Sequence, residues 1–422
     1  MKIKKVRGVK DILPGEIEKW QWVESITHSV FANFGFKEIR VPIFEYTNLF
    51  SRGIGETTDI VEKEMYTFED KGGEMITLRP EGTASVARAY VENKLYNPPS
   101  LTKLYYIGPM FRYERPQAGR FRQFYQIGVE AMGSQSPSVD AEVICMVNEL
   151  LKRLGLKNTE LQINSLGCPE CRPQYRELLK NAGREKFDEL CNNCQQRLDR
   201  NPLRLLDCKV ETCSEIAQGL PKTAEHLCEK CDQEFNLVKE LLESTKTDFT
   251  VNFKLVRGLD YYSKTAFEIV SSDLGAQSAV CGGGRYDQLV EEFDGPATPC
   301  FGFAIGLDRL VSLISTDENP EIFQKPDLFI VALGEAAEKE TFKIAQNLRK
   351  QEVWVDRGYE STSMKSQMRK ADKSGAGFVL ILGENELSSG ICPLKNMSNG
   401  EQKDVSLETL LSNAKSVLIS TP

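Results

Sequence analysis

Apolar positions along the chain change their period several times, and each change marks an element. Between about Pro14 and Asn33, Ile17, Trp20, Val23, Val30 and Phe31 fall near helical spacing, Phe34 follows, and Gly35 ends the predicted helix. A strand is expected over Phe36 to Val41, with Pro42 removing a ladder donor as at an edge or an interface. Phe44 to Asp70 reads as loop and short helix. Met75 to Leu78 and Leu104 to Met110 read as strands, separated by a helix over Gly82 to Glu92 and a loop at Pro98-Pro99. Met110 to Glu114 and Arg122 to Glu130 read as the arms of a hairpin around a turn at Arg115 to Arg120. Alternation along the second arm points Gln126, Gly128 and Glu130 the same way. A helix over Ser138 to Leu154 and a strand over Leu161 to Asn164 complete this part.

A polar, helical stretch from Gly167 to Thr250 then interrupts the strand pattern, which resumes at Phe253 and reads as an insertion. After it come Thr265 to Val270, then Ser278 to Cys281 with Gly282-Gly283-Gly284, and a strand from Phe301 that passes into a helix by Leu310. Consecutive strands joined by hairpins imply an antiparallel sheet. A linker runs from Asn319-Pro320 to Lys325-Pro326. Strand and helix then alternate over Leu328 to Ala332, Lys339 to Lys350, Val353 to Val355, Ser363 to Ser374 and Phe378 to Leu382, the order of a small α/β domain with a parallel sheet. The class expected is α+β, in four segments: 1–166, an insertion at 167–250, 251–322, and 325–422. A length of 422 residues, at roughly 150 per domain, gives about 2.8 domains and agrees with a split first domain.

Composition removes several function classes. The chain has only two histidines, His28 and His226, so mechanisms built on His as base, relay or repeated metal ligand have few places to sit. No stretch approaches the ~18 uninterrupted apolar residues of a membrane span. The basic start Met1-Lys2-Ile3-Lys4-Lys5 lacks the apolar core of a secretion signal, so a cytoplasmic location is expected. Net charge is −8, yet Lys325 to Pro422 holds 13 basic and 13 acidic residues, leaving that segment neutral and free to carry a local basic face.

Four of the twelve cysteines are scattered; the other eight fall between Cys168 and Cys231. They are Cys168 with Cys171, Cys191 with Cys194, Cys208 with Cys213, and Cys228 with Cys231. In a reducing compartment such pairs suit thiolate metal sites better than disulfides. Eight ligands make two structural zinc sites of four thiolates each, or one site with spare thiols; neither leaves an open position for water, which argues against catalytic zinc.

Five motifs in order carry a family resemblance. Phe111-Arg112 with Arg120-Phe121-Arg122-Gln123-Phe124, and Gly302 to Arg309, resemble the second and third signature motifs of class II aminoacyl-tRNA synthetases. Arg257-Gly258-Leu259-Asp260-Tyr261-Tyr262 and Gly282-Gly283-Gly284-Arg285-Tyr286-Asp287 resemble the two peptides that distinguish histidyl-tRNA synthetases, and Leu78 to Thr83 matches the same family. The resemblance runs from Arg7 to about Lys403.

The resemblance implies a ligase using L-histidine, ATP with Mg2+, and tRNA(His), working as a homodimer with the Phe36 to Pro42 region at the interface. Joining a carboxylate to the α-phosphate of ATP brings two anions together, and fixed guanidinium groups offset that repulsion. By resemblance Arg112 and Arg257 hold the α-phosphate, Arg120 and Arg309 the outer phosphates, and Phe124 stacks on adenine. Glu130 and Tyr262 pair with the two imidazole nitrogens, Glu81, Thr83 and Gln126 hold the α-amino group, and Tyr261 lines the pocket. The glycine triplet is read either as a bulge or as a floor of bare backbone under substrate. The last domain resembles an anticodon-binding domain, and Lys365, Arg369, Lys370 and Lys373 share one helix face suited to tRNA phosphates. Two rival readings are a catalytically silent paralogue acting as a histidine-sensing regulatory subunit and a tRNA-binding or kinase-associated module without ligase activity. Sensor relatives typically lack the anticodon domain and erode the arginines.

Overall fold

The computed structural model describes residues 2–55, 58, 60–115, 119–257, 261–275, 279–359 and 362–419. The chain divides into two compact units, Met1–Asn319 and Pro320–Pro422. In the first unit the strands are β1 (Lys37–Glu38), β2 (Phe44–Tyr46), β3 (Tyr66–Glu69), β4 (Met75–Leu78), β5 (Thr102–Phe111), β6 (Gln123–Met132), β7 (Thr159–Ser165), β8 (Thr250–Val251), β9 (Ser263–Ser271), β10 (Ala279–Arg285) and β11 (Cys300–Gly306). Eight of them form one sheet in the order β1-β5-β6-β11-β10-β9-β7-β8. The six central strands pair antiparallel, as hairpin connections require, whereas β1 on β5 and β8 on β7 pair parallel, so the sheet is mixed rather than wholly antiparallel.

Helix α1 (Ile17–Asn33) buries Trp20, Val23, Val30 and Phe31, the stripe its periodicity predicted. The expected strand at Phe36 to Val41 shrinks to two residues. The Ile39 amide still bonds the Tyr105 carbonyl at 2.8 Å, and the chain then turns away at Pro42. The segment expected as loop and short helix holds α2 (Thr47–Ile54) and also contributes β2 and β3 to a second sheet, ordered β2-β4-β3. These short strands are largely exposed, so they carry no apolar alternation to read. Helix α3 (Thr83–Glu92) and helix α4 (Pro137–Arg153) lie where expected.

Residues 167–250 remain in the first unit and hold α5 (Arg172–Glu185), α6 (Asn192–Arg200), α7 (Glu211–Gln218) and α8 (Glu229–Ser244). Their apolar residues, among them Tyr175, Leu179, Leu198 and Ala217, join the core that contains Tyr106, Tyr261 and Tyr286. The sheet resumes at β8, slightly before the Phe253 suggested by pattern.

The second unit has a five-stranded sheet ordered Val355–Arg357, Leu328–Ala332, Phe378–Leu382, Ile391–Asn396, Gln402–Ser406. Only the first three are parallel; the last two add antiparallel. The strand expected at Val353 begins later because the Val353 amide folds back to the Leu348 carbonyl at 3.2 Å and closes the preceding helix. Pro393 lies in an inner strand of this sheet, between Phe378–Leu382 and Gln402–Ser406. It sits one residue past the Leu380–Leu394 pair, where the ladder with Phe378–Leu382 has ended and its missing N–H costs nothing there. No described helix is long and apolar enough to cross a membrane.

Candidate active site

The hairpin β5–β6 and strands β9 to β11 bring the predicted residues to one face. Arg112, Arg120, Phe124, Gln126, Arg257 and Arg309 line a single cavity of about 390 Å³. Its floor is β10, where Gly282 pairs between Glu268 of β9 and Ala304 of β11. The triplet is therefore mid-strand, with bulges at Ala279/Cys281 and Gly284/Arg285. A Cβ at Gly282 would lie 2.3 Å from both terminal nitrogens of Arg257, so bare backbone is what lets that guanidinium lie on the sheet. Arg257 pairs with Glu268 at 3.0 Å and sits 5.4 Å from the Tyr262 ring. Gly258, Leu259 and Asp260 of the same motif, Pro116 to Ala118 of the hairpin turn, and Ser278 of the predicted strand lie outside the described residues.

The other arginines are held by backbone and by one carboxylate. Arg112 donates from Nε to the Pro80 carbonyl at 2.8 Å, with its guanidinium 5.3 Å from the Phe124 ring. Arg120 pairs with Glu114 at 3.1 Å, and Arg309 donates to the Ala279 carbonyl at 3.0 Å. Burial lowers the Arg309 guanidinium below its ordinary value, and the cations of Arg120 and Arg112 push it the same way. Several guanidiniums crowded in one cavity relieve their repulsion when a polyanion enters. Two polar atoms in its lining, Nε of Arg257 and Oε1 of Gln126, are buried with no hydrogen-bond partner among the described residues. An orphan donor and an orphan acceptor facing one space are groups that a bound ligand satisfies.

A second cluster lies beside it. Glu81 accepts from the amides of Thr83 at 2.9 Å and Ala84 at 2.7 Å, closing the N-terminus of α3. Thr83 Oγ1 donates to Glu130 at 2.7 Å, and the Tyr286 hydroxyl donates to the other Glu130 oxygen. Tyr261 sits 4.7 Å from Tyr262 and 5.6 Å from Tyr286, ring centre to ring centre. Glu130 stands opposite Gly302 of β11, where a Cβ would approach its Oε2 to 2.2 Å. Burial pushes the Glu130 carboxyl up to about 8, against the bonds from Tyr286 and Thr83 that pull it down. Burial also raises Glu81, opposed by its amide donors and by Arg112. The structure thus joins Glu81, Thr83, Glu130, Tyr261 and Tyr262 into one buried polar cluster.

Three groups were missed in the sequence. Tyr286 lies inside a quoted motif, but nothing in its spacing shows that it bonds Glu130. Glu268 and Glu114, which hold Arg257 and Arg120, had no sequence signal beyond being charged residues on or beside strands. The two histidines lie elsewhere: His28 Nδ1 is 2.7 Å from the Tyr105 hydroxyl, and His226 stacks on Tyr175.

A sheet of this order, a hairpin carrying arginines, and motif residues gathered on one face define an aminoacyl-tRNA synthetase of the class II fold. Residues 8–310 match the family model described as histidyl-tRNA synthetase, and residues 327–416 match the anticodon binding domain. The histidine–tRNA ligase of Desulforamulus reducens is 52% identical over 408 residues, covering 96% of this chain and 97% of that protein. The apo histidyl-tRNA synthetase of S. aureus superposes with a TM-score of 0.82 at 38% identity, covering 97% of this chain and 99% of that one. A Bacillus halodurans protein titled ATP phosphoribosyltransferase regulatory subunit/histidyl-tRNA synthetase shares the fold alone, at 23% identity and TM-score 0.66 over 91% of this chain and 99% of that one. The chain belongs to the histidyl-tRNA synthetase family and is an aminoacyl-tRNA ligase.

Proposed function

We propose that the chain condenses L-histidine with ATP, carried with Mg2+, to histidyl-adenylate and pyrophosphate, and then passes the histidyl group to the 3′ end of tRNA(His). The observation that carries this reading is the cavity in which Arg112, Arg120, Arg257 and Arg309 converge beside the Glu130 cluster. In the first step a histidine carboxylate oxygen attacks the α-phosphorus and the bond to pyrophosphate breaks. Arg112 and Arg257 offset the charge on the α-phosphate, Arg120 and Arg309 hold the departing phosphates, and Phe124 stacks on adenine. In the second, a terminal ribose hydroxyl of the tRNA attacks the acyl carbon and AMP leaves.

Specificity comes from buried groups that a wrong amino acid leaves unpaired, each worth about 1–3 kcal/mol. Glu130 and Tyr262 pair with the two imidazole nitrogens. An ionised Glu130 retains lone pairs beyond those used by Thr83 and Tyr286. Gln126, with its orphan Oε1, holds the α-ammonium together with Glu81 and Thr83, and Tyr261 walls the pocket. Structural zinc on the eight paired cysteines takes no part in the reaction, since a site filled by four thiolates has no position for substrate.

The protein works in the cytoplasm as a homodimer, with the Phe36 to Pro42 region at the interface; the two-residue edge strand β1 and the exposed Ile43, Phe44 and Tyr46 beside it support that face. The regulatory-subunit reading predicts histidine binding without chemistry. Histidine-dependent ATP–pyrophosphate exchange separates the two: robust exchange is expected, and folded protein that binds histidine without exchange overturns the ligase reading.

A further inference from the structure

The eight cysteines of the insertion segregate into two groups: Cys168, Cys171, Cys228 and Cys231, and Cys191, Cys194, Cys208 and Cys213. Within each group all four sulfurs lie within 4.8 Å of one another. Individual separations are 3.7 Å for Cys168–Cys171, 3.8 Å for Cys168–Cys228, 4.0 Å for Cys171–Cys231 and 3.9 Å for Cys191–Cys208. All eight are free thiols, far from the ~2.05 Å of a disulfide. Four sulfurs placed tetrahedrally about 2.3 Å from a zinc ion have edges of about 3.8 Å, which these spacings match. An iron–sulfur cluster spreads its thiolates over several irons and needs a wider cage.

Local structure suits thiolates. Cys171, Cys191 and Cys228 directly precede α5, α6 and α8, where helix N-termini favour negative charge. The Cys168 amide donates to Cys171 Sγ at 3.2 Å, and the Cys191 amide donates to Cys213 Sγ at 3.2 Å. Such N–H···S bonds orient metal-bound thiolates and offset their charge.

The first group also reaches the substrate pocket. It joins the start of the insertion to its end, and Cys168 follows the segment where Leu166 and Gly167 bond Lys264 at 2.7 and 2.9 Å. Arg172, next to Cys171, donates to the Tyr262 carbonyl and, from Nε at 3.4 Å, to that of Leu166. The second group lies wholly within the insertion; the carbonyl of Ser214, next to Cys213, accepts from Lys254 Nζ at 3.1 Å, and Cys208 lines a cavity that Arg257 and Arg309 also line. Arg172 beside the first group, by contrast, bonds the Tyr262 backbone directly.

We propose that the two groups are tetrathiolate zinc sites and that the first is a positioning device, holding Tyr262 and the adjoining Arg257 through Arg172. Binding exchanges four thiol protons per site for one Zn2+, with no change in redox state. The positioning half rests on the ligase reading; the metal half does not.

The test uses the full-length protein purified without added zinc and analysed for metals. Two zinc ions per chain are expected, one for each cysteine group. Cys228→Ser/Cys231→Ser and Cys208→Ser/Cys213→Ser should each remove one. Roughly one zinc or none in the wild type, iron in its place, or disulfides found by intact mass overturns the paired-site assignment. In the exchange assay Arg172→Ala, which keeps every cysteine, should retain both zinc ions and raise KM for histidine about 5- to 10-fold, the scale of one hydrogen bond, with a smaller change in KM for ATP. An unchanged histidine KM, or equal changes for both substrates, overturns the positioning role. Protein with two zinc ions and no exchange activity keeps the metal sites and refutes only the ligase reading.

Discussion

Thr83 Oγ1 lies 2.7 Å from Oε1 of Glu130 and joins the first turn of α3 to the C-terminal part of β6. The bond ties the segment expected to hold the α-ammonium of histidine to the carboxylate expected to read its ring. Because Tyr286 occupies the other oxygen, Glu130 is fixed from two sides before substrate arrives.

The raised carboxyl of Glu130 gives a pH signature. Its folded value of about 8 lies above the ordinary 4.5, so on raising the pH the unfolded chain ionises first. Stability from this group is full below about 4.5 and is lost progressively towards pH 8. Glu130→Gln keeps shape without ionising. Chemical denaturation at several pH values should show the variant losing less stability than wild type across that window, and KM for histidine should rise at least about tenfold. Parallel pH profiles for the two proteins refute the buried-charge account.

Arg257 rests on the bare backbone of Gly282 and is anchored through a terminal nitrogen by Glu268, while its Nε has no hydrogen-bond partner among the described residues. Arg257→Ala should lower the exchange rate by about 10²–10³, the scale of removing one preorganised donor from a developing charge. Glu268→Gln should cost less, since it loosens the arginine without removing it. Full exchange by Arg257→Ala means the arginine does not act at the α-phosphate.

What could be read from the sequence follows from how local the signal is. Helix α1 announced itself through Trp20, Val23 and Phe31, and Gln126 and Glu130 were placed on one face by strand alternation alone. The arginine set came from ordered motifs, because chemistry restricts those residue types. Contacts between distant segments left no trace: nothing near Tyr286 points to Glu130, 156 positions away. Strands β2 and β3 were missed because exposed strands lack an apolar rhythm. The cysteines show both limits, since their spacing identified pairs, but only the fold reveals that Cys168/Cys171 joins Cys228/Cys231 rather than its nearer neighbours.

Close approach at Gly302 makes a steric prediction. An added Cβ there would lie 2.2 Å from Glu130 Oε2 and 2.3 Å from the Val129 carbonyl, and the latter is backbone that cannot swing aside. Gly302→Ala should cost at least the ~1–3 kcal/mol of ordinary overpacking and lower the thermal midpoint. Gly306→Ala, whose nearest atom is Arg309 Cδ at 3.8 Å, should unfold like wild type. Equal midpoints for the two variants would show that the sheet yields at Gly302.

The helix Met364–Ser374 carries Lys365, Arg369, Lys370 and Lys373 on its exposed side. Its buried side is fixed by Gln367, which accepts from the Ala332 amide at 3.0 Å and donates to the Ala332 carbonyl at 2.7 Å. Changing the four cations to glutamine leaves that anchor intact, so folding should be unaffected. If they meet tRNA phosphates, KM for tRNA in aminoacylation should rise while histidine-dependent exchange stays at the wild-type rate. The salt dependence of tRNA binding should also flatten, because each lost phosphate contact removes roughly 0.7–0.9 from the log–log slope. A tRNA KM and salt slope matching wild type would assign this face to solvent, and a parallel loss of exchange would point to misfolding instead of lost tRNA contact.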